Sequence, residues 1–228
     1  MNAPAASRFS EKLVAAGFLL VGGFQPEETD HVPETGGGSA PKTLLIVGST
    51  GPGLWPTFKA APEAEDGKPD PMDRYTRRVL SELAADFDFE PLFPFDGPPY
   101  HPFQKWALKC GGFSQSPFGL LTHIIYGPWA GLRAALLSAD DLDIPTRLDT
   151  PGPCVTCKEK PCLTACPVDA IQLDTGYDIP RCLEYLGSTP DAGCWTGCRA
   201  RKACPIDQSH APDAANGRFH MKSFVGFV

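Results

Sequence analysis

The sequence predicts an α+β chain in two parts: an α/β domain over residues 1–148, then a small two-cluster module of ferredoxin type over residues 149–228. Three observations carry that expectation. Eight of the nine cysteines fall between Cys154 and Cys204, in two groups of four. Each group closes on Cys-Pro, as Cys166-Pro-Val-Asp and Cys204-Pro-Ile-Asp. Upstream of them, helical and extended apolar patterns alternate between glycine and proline breaks.

The opening residues read as a helix beginning near Ser7 or Ser10 and stopped by Gly17, followed by a strand Phe18–Val21. Arg8 and Lys12 before an apolar stretch resemble an export signal. Glu11 interrupts the basic region, however, and no small-x-small cleavage site precedes Gln25-Pro26, so the expected location is cytoplasmic. Glu27 to Pro41 is an acidic, glycine-rich loop. Lys42 to Thr50 is a short β-branched run closed by glycine, a buried strand. Gly48-Ser-Thr-Gly51-Pro-Gly53 lacks the lysine of a phosphate-binding loop and reads as a tight turn beneath Trp55.

Asp70, Pro71 and Asp73 mark the start of a helix running to about Phe87. Tyr75, Val79, Leu80, Leu83, Ala84 and Phe87 recur at helical spacing and form its buried face, with Arg74, Arg77 and Arg78 mostly off it. An aromatic extended stretch to Phe95, a turn at Asp96–Tyr100 and a helix from His101 or Pro102 to Cys110 follow. Leu120–Tyr126 and Leu132–Leu137 read as two strands joined by the turn Gly127–Gly131, with His123 as a core histidine in the first. The loop 140–143 and Thr150-Pro-Gly-Pro153 lead into the cysteines.

A cubane iron–sulfur cluster needs four thiolates at tetrahedral corners, and three closely spaced cysteines wrap only one face. In two-cluster ferredoxins the Cys-Pro cysteine of each group ligates the other group's cluster. That exchange predicts two [4Fe-4S] clusters, one on Cys154, Cys157, Cys162 and Cys204, the other on Cys166, Cys182, Cys194 and Cys198. Structural zinc and disulfides are the competing uses of so many thiols. A net charge of −7 argues against non-specific nucleic-acid binding, and no apolar run approaches the roughly 20 residues of a membrane helix.

The stretch Gly152-Pro-Cys154, Cys166-Pro-Val-Asp-Ala-Ile171 and Tyr177-Asp-Ile-Pro-Arg-Cys182 resembles the cluster region of the epoxyqueuosine reductases. The similarity continues upstream in Leu121–Trp129, with that family's Tyr-Gly-x-Trp turn. It extends to the arginine-bearing helix from Asp73 and to Ala16–Gly22. The resemblance implies a nitroreductase-like or cobalamin-processing-like α/β fold and a cobalamin fed electrons by two clusters. It also implies a corrinoid pocket at Tyr126, Gly127 and Trp129, and Asp96 as proton donor, against a plain turn aspartate. An electron-donor protein such as flavodoxin, ferredoxin or a reductase would be the partner. The chain departs from the family in its wider cysteine spacings and in Ser114–Gly119, where the family has Gly-Lys-Asn/His-Thr. It also lacks the helical repeats many members use on tRNA, so the expectation keeps the chemistry class and drops tRNA as substrate. Two functions follow: an iron–sulfur reductase relaying electrons to a corrinoid, or a ferredoxin-type electron carrier with no substrate chemistry of its own.

Overall fold

A computed structural model of the chain describes residues 3–142 and 148–227. Two compact units emerge: residues 1–111 with 131–150, and residues 112–130 with 151–228. The mixed α+β class is the one expected.

The first unit is built on a four-stranded antiparallel sheet in the order β1-β2-β6-β3. Its strands are β1 (Leu19–Phe24), β2 (Thr43–Ser49), β3 (Glu90–Leu92) and β6 (Gly131–Ser138). Every residue of β2 is buried, which explains its continuous apolar run: a central strand covered on both faces has no reason to alternate. Leu44 faces Leu137 across the β2–β6 ladder, and Ile46 faces Ala135.

Helices α1 (Ala3–Ala15) and α4 (Phe103–Cys110) pack on β1, and α3 (Pro71–Asp86) packs on β3 and β6. The predicted buried face of α3 is present in Tyr75, Leu80, Leu83 and Ala84, joined by Met72 and Thr76, while Val79 and Phe87 are only partly buried. Asp70 precedes that helix in the left-handed region, at φ 52°, and its side chain caps nothing. Proline at the first helical position needs no capped N–H there.

Two expectations for this unit change. Gly51–Lys59 is a helix, α2, not a tight turn. Its first residues, Gly-Pro-Gly, discourage a helical reading, yet Leu54, Trp55 and Phe58 recur at helical spacing and are buried. Leu120–Tyr126 and Leu132–Leu137 do not form a hairpin. The second lies within β6 of this sheet. The first contains β5 (Leu121–His123), which pairs with β4 (Phe113–Gln115) in the other unit. The loop expected at 140–143 ends outside the described residues.

A buried-edge ion pair fixes the segment before α3. Arg78 donates Nε to Glu63 Oε1 at 2.6 Å and Nη2 to Oε2 at 3.1 Å, with the Glu63 side chain 10% and the Arg78 side chain 43% exposed. The Arg78 hydrogen bonds hold the Glu63 carboxyl below its ordinary value of 4.5. A carboxyl depressed by folding contributes stability above its unfolded pKa and loses it as pH falls through the lower folded one. Wild type is therefore expected to lose about 1 kcal/mol more than Glu63→Gln between about pH 5 and pH 3, a modest figure because Arg78 is half in water. Urea melts across that range check it, and parallel losses in the two proteins would refute it.

The second unit holds the β4–β5 hairpin, a two-stranded β7 (Ile171–Gln172) and β8 (Gly176–Tyr177), and four helices. These are α5 (Pro161–Thr164), α6 (Ile179–Ser188), α7 (Arg199–Lys202) and α8 (Ala214–Phe227). Short elements joined by tight turns follow from a cysteine-rich stretch with frequent proline and glycine. A small core gathers Phe118, Cys162, Ile171 and Ala200. The helix α8, absent from the sequence expectation, packs on residues 193–196. Among the described residues, no helix is long and apolar enough to cross a membrane.

Candidate functional site

The turn after β5 is built around His123. His123 and Gly127 exchange backbone hydrogen bonds, each N–H donating to the other's carbonyl at 2.8 Å. The His123 ring lies inside that turn and accepts at Nδ1 from the N–H groups of Ile125, at 3.1 Å, and Tyr126, at 3.3 Å. Burial pushes the imidazole down to about 4, so it is neutral at physiological pH. With Nδ1 accepting, the proton belongs on Nε2, which is buried with no partner among the described residues.

Tyr126 stacks on His123 with ring centroids 4.9 Å apart, and the Trp129 N–H donates to the Tyr126 carbonyl at 3.1 Å. Gly127 sits at φ 56°, and a Cβ there would lie 3.1 Å from Ile206 Cβ, so both backbone and space favour glycine. Trp129 is buried, and its Nε1 also lacks a partner among the described residues. Tyr126, Gly127 and Trp129, expected from the sequence to act together, are thus one ordered turn.

The eight cysteines line two clefts of the second unit. Cys154, Cys157, Cys162 and Cys204 line one of about 200 Å³, beside Phe118 and Ile206. Cys166, Cys182, Cys194 and Cys198 line another of about 320 Å³, beside Tyr177 and Phe224. Local hydrogen bonds set these loops. The Cys154 N–H donates to Ser114 Oγ at 3.0 Å, tying the first thiol to β4. Lys160, at φ 41°, turns the chain into α5 and donates Nζ to the Cys157 carbonyl at 2.6 Å. Asp178 caps α6 by accepting from the Arg181 N–H at 3.0 Å, which orients Cys182 one turn in.

None of the nine cysteines is joined in a disulfide. Burial pushes the thiols of Cys162, Cys182, Cys194 and Cys204 up. Burial also pushes the Tyr177 hydroxyl up, and its hydrogen bond to Cys182 acts in the same direction. The Ala170 N–H donates to Cys166 Sγ at 3.3 Å. Cys110 is buried in the first unit, away from both groups in sequence.

Asp96 belongs to the first unit. It is ion-paired with Arg77, whose guanidinium also stacks over Phe93 and Phe95 at 4.7 and 4.9 Å. The Asp96 side chain is 38% exposed. That is an open surface pair, whereas a carboxyl kept protonated to act as an acid needs a desolvated pocket.

Sequence reasoning leaves Arg199, Arg201 and Lys202 open between tuning a cluster, docking an acidic partner and forming a merely solvated loop, and it misses that Arg201 turns inward. It donates Nη2 to the Pro128 carbonyl at 2.6 Å, and its guanidinium carbon lies 5.1 Å from the Trp129 ring centre. The available signal was Ala200, small enough to be buried in a one-turn helix flanked by charge. His210, edge-on to Tyr126 at 5.0 Å, was equally unforeseen.

No family model matches the chain, and no curated protein matches it. Among solved structures, the crystal structure of a C. elegans B12-trafficking protein, CblC, a human MMACHC homologue, superposes with a TM-score of 0.53 at 14% identity, over 99% of this chain and 96% of that one. At that identity the likeness establishes the fold.

The iron–sulfur reductase relaying electrons through two [4Fe-4S] clusters, and its ferredoxin-type electron-transfer alternative, are overturned. Among the described residues no group of three or more His, Cys, Asp or Glu is arranged to hold a metal ion. The physical reason is that four cysteines can line one cleft, as each set does, without aiming their sulfurs at one centre. With the relay goes the ground for an electron-donor partner.

Proposed function

We propose that this chain is a corrinoid-binding protein that handles cobalamin as cargo or substrate. The observation that carries the reading is the fold, which is shared along nearly the whole chain with a B12-trafficking protein. The resemblance of Leu121–Trp129 and the α3 arginines to the cobalamin-associated epoxyqueuosine reductases points to the same ligand from the sequence side. The corrin ring carries amide side chains around its rim, so a contacting surface needs hydrogen-bond groups set among apolar ones. The turn at Tyr126, Gly127 and Trp129 fits that need: His123 Nε2 and Trp129 Nε1 are donors held in an aromatic setting with no partner among the described residues. Buried donors left unpaired cost about 1–3 kcal/mol each, a penalty that a ligand carbonyl removes.

Asp96 enters this reading as the proposed proton donor of the first unit. Asp96 is held by its pairing with Arg77.

Titration with hydroxocobalamin, followed by absorbance, tests the function itself. A saturable spectral change at one corrinoid per chain is expected, including loss of the lower-ligand band. Trp129→Ala should weaken binding at least tenfold, the equivalent of about 1.4 kcal/mol. No spectral change and no heat of binding at high corrinoid concentration would sink the proposal.

A further inference from the structure

We infer that Arg201 is a positioning residue for the Tyr126–Trp129 turn, and that it sets how that turn meets its ligand. The inference rests on the corrinoid reading above and adds a residue that touches the turn from a distant part of the sequence. A guanidinium taken out of water ordinarily pairs with a carboxylate. Arg201 instead spends its charge on the Pro128 carbonyl at 2.6 Å and on the face of Trp129 at 5.1 Å. Its Nε is buried with no partner among the described residues.

Both contacts fall on consecutive residues of one turn. The carbonyl of residue 128 is pulled inward, which fixes the peptide leading into residue 129, and the cation lies over the indole that this peptide carries. Arginine suits the task better than lysine, because its planar fork can donate and stack at once. Ile206 against Gly127 and His210 against Tyr126 complete the support from the same stretch of chain. All four residues of the turn are thus held by residues 201–210. The same Arg201 lines the cleft of Cys166, Cys182, Cys194 and Cys198, so changes in that cleft reach the turn through one side chain.

The test uses the full chain labelled with 5-fluorotryptophan and read by fluorine NMR, with the Trp129 resonance identified by its loss in Trp129→Phe. Arg201→Met keeps side-chain volume while removing the charge and the donor. In it, the Trp129 resonance should move while those of Trp55, Trp106 and Trp195 stay, and affinity for hydroxocobalamin should fall about tenfold. Arg201→Lys should return the resonance toward wild type and restore affinity to within about threefold. If Arg201→Met does not fold, Arg201→Gln, which keeps a donor for Pro128 and loses the cation, takes its place with the same expectations. An unmoved Trp129 resonance in a folded variant overturns the positioning role, as does wild-type affinity for the corrinoid. A wild-type chain that fails to bind hydroxocobalamin overturns the corrinoid reading alone, because the fluorine spectrum is recorded without ligand.

Discussion

Gly217→Ala is expected to destabilise the second unit severely. Helix propensity predicts the reverse, since alanine gains about 1 kcal/mol over glycine inside a helix. The close approach decides otherwise. A Cβ at residue 217 would lie 2.1 Å from the Thr196 carbonyl oxygen and 2.6 Å from its carbon. Both atoms are backbone, so no rotamer change relieves the overlap, and α8 has to lift from residues 193–196. Overpacking costs about 1–3 kcal/mol, occasionally more, and backbone against backbone belongs at the upper end. Asn216, buried beside it, would lose its packing too. Gly226→Ala is the matched control, since a Cβ there meets nothing within 4 Å in the same helix. Denaturant melts of the two variants should differ by about 3 kcal/mol or more. Gly217 and Gly226 variants equally stable, or both stabilised, would show that the contact does not hold α8.

The largest expected effect in the first unit is at Trp106. Its side chain is 1% exposed, packs against Phe103 at 5.2 Å and His101 at 5.7 Å, and donates Nε1 to the Asp30 carbonyl at 2.9 Å. Trp106→Ala should cost about 3–5 kcal/mol, cavity included, and lower the melting temperature by roughly 6–20 °C for a chain of this size. Trp106→Phe separates the two contributions: it refills most of the volume but leaves the Asp30 carbonyl without its donor, at about 1–3 kcal/mol. A scanning calorimetry trace in which the alanine variant melts with wild type would mean that α4 is not part of the cooperative core.

How much of this was legible depends on what each segment is made of. The α3 helix was, because Tyr75, Leu80 and Leu83 mark one face at helical spacing and Pro71 marks its start. The β2 strand was, because a β-branched run closed by glycine has few alternatives. The α2 helix was hidden, since Gly-Pro-Gly at its start is the signature of a turn and only the burial of Leu54 and Phe58 makes it worthwhile. The α8 helix gave no signal, with glycine at 217 and 226 and no clear apolar face; it exists through docking. Strand pairing failed where it usually does. Leu121–His123 and Gly131–Ser138 are neighbours in sequence but find partners elsewhere, and local pattern does not encode partner choice.

The candidate site shows the same division. Each set of four cysteines lines one cleft. Spacing does not say where sulfur atoms point, and the chemistry read from it went too far. The Tyr126–Trp129 turn was legible as a motif. Its support by Arg201 was not, because a basic run gives no hint that one member turns inward.

The hairpin of β4 and β5 is contributed by residues 112–130, while the rest of its unit begins at residue 151. The polypeptide therefore crosses from one unit to the other three times, and neither unit is a contiguous stretch of the gene. A fragment cut to start at Asp149 would leave behind Ser114, to which the Cys154 amide donates, together with the entire Tyr126–Trp129 turn. Modular exchange by simple end-to-end fusion is closed to such a chain; its two halves are inherited, truncated and engineered only as one.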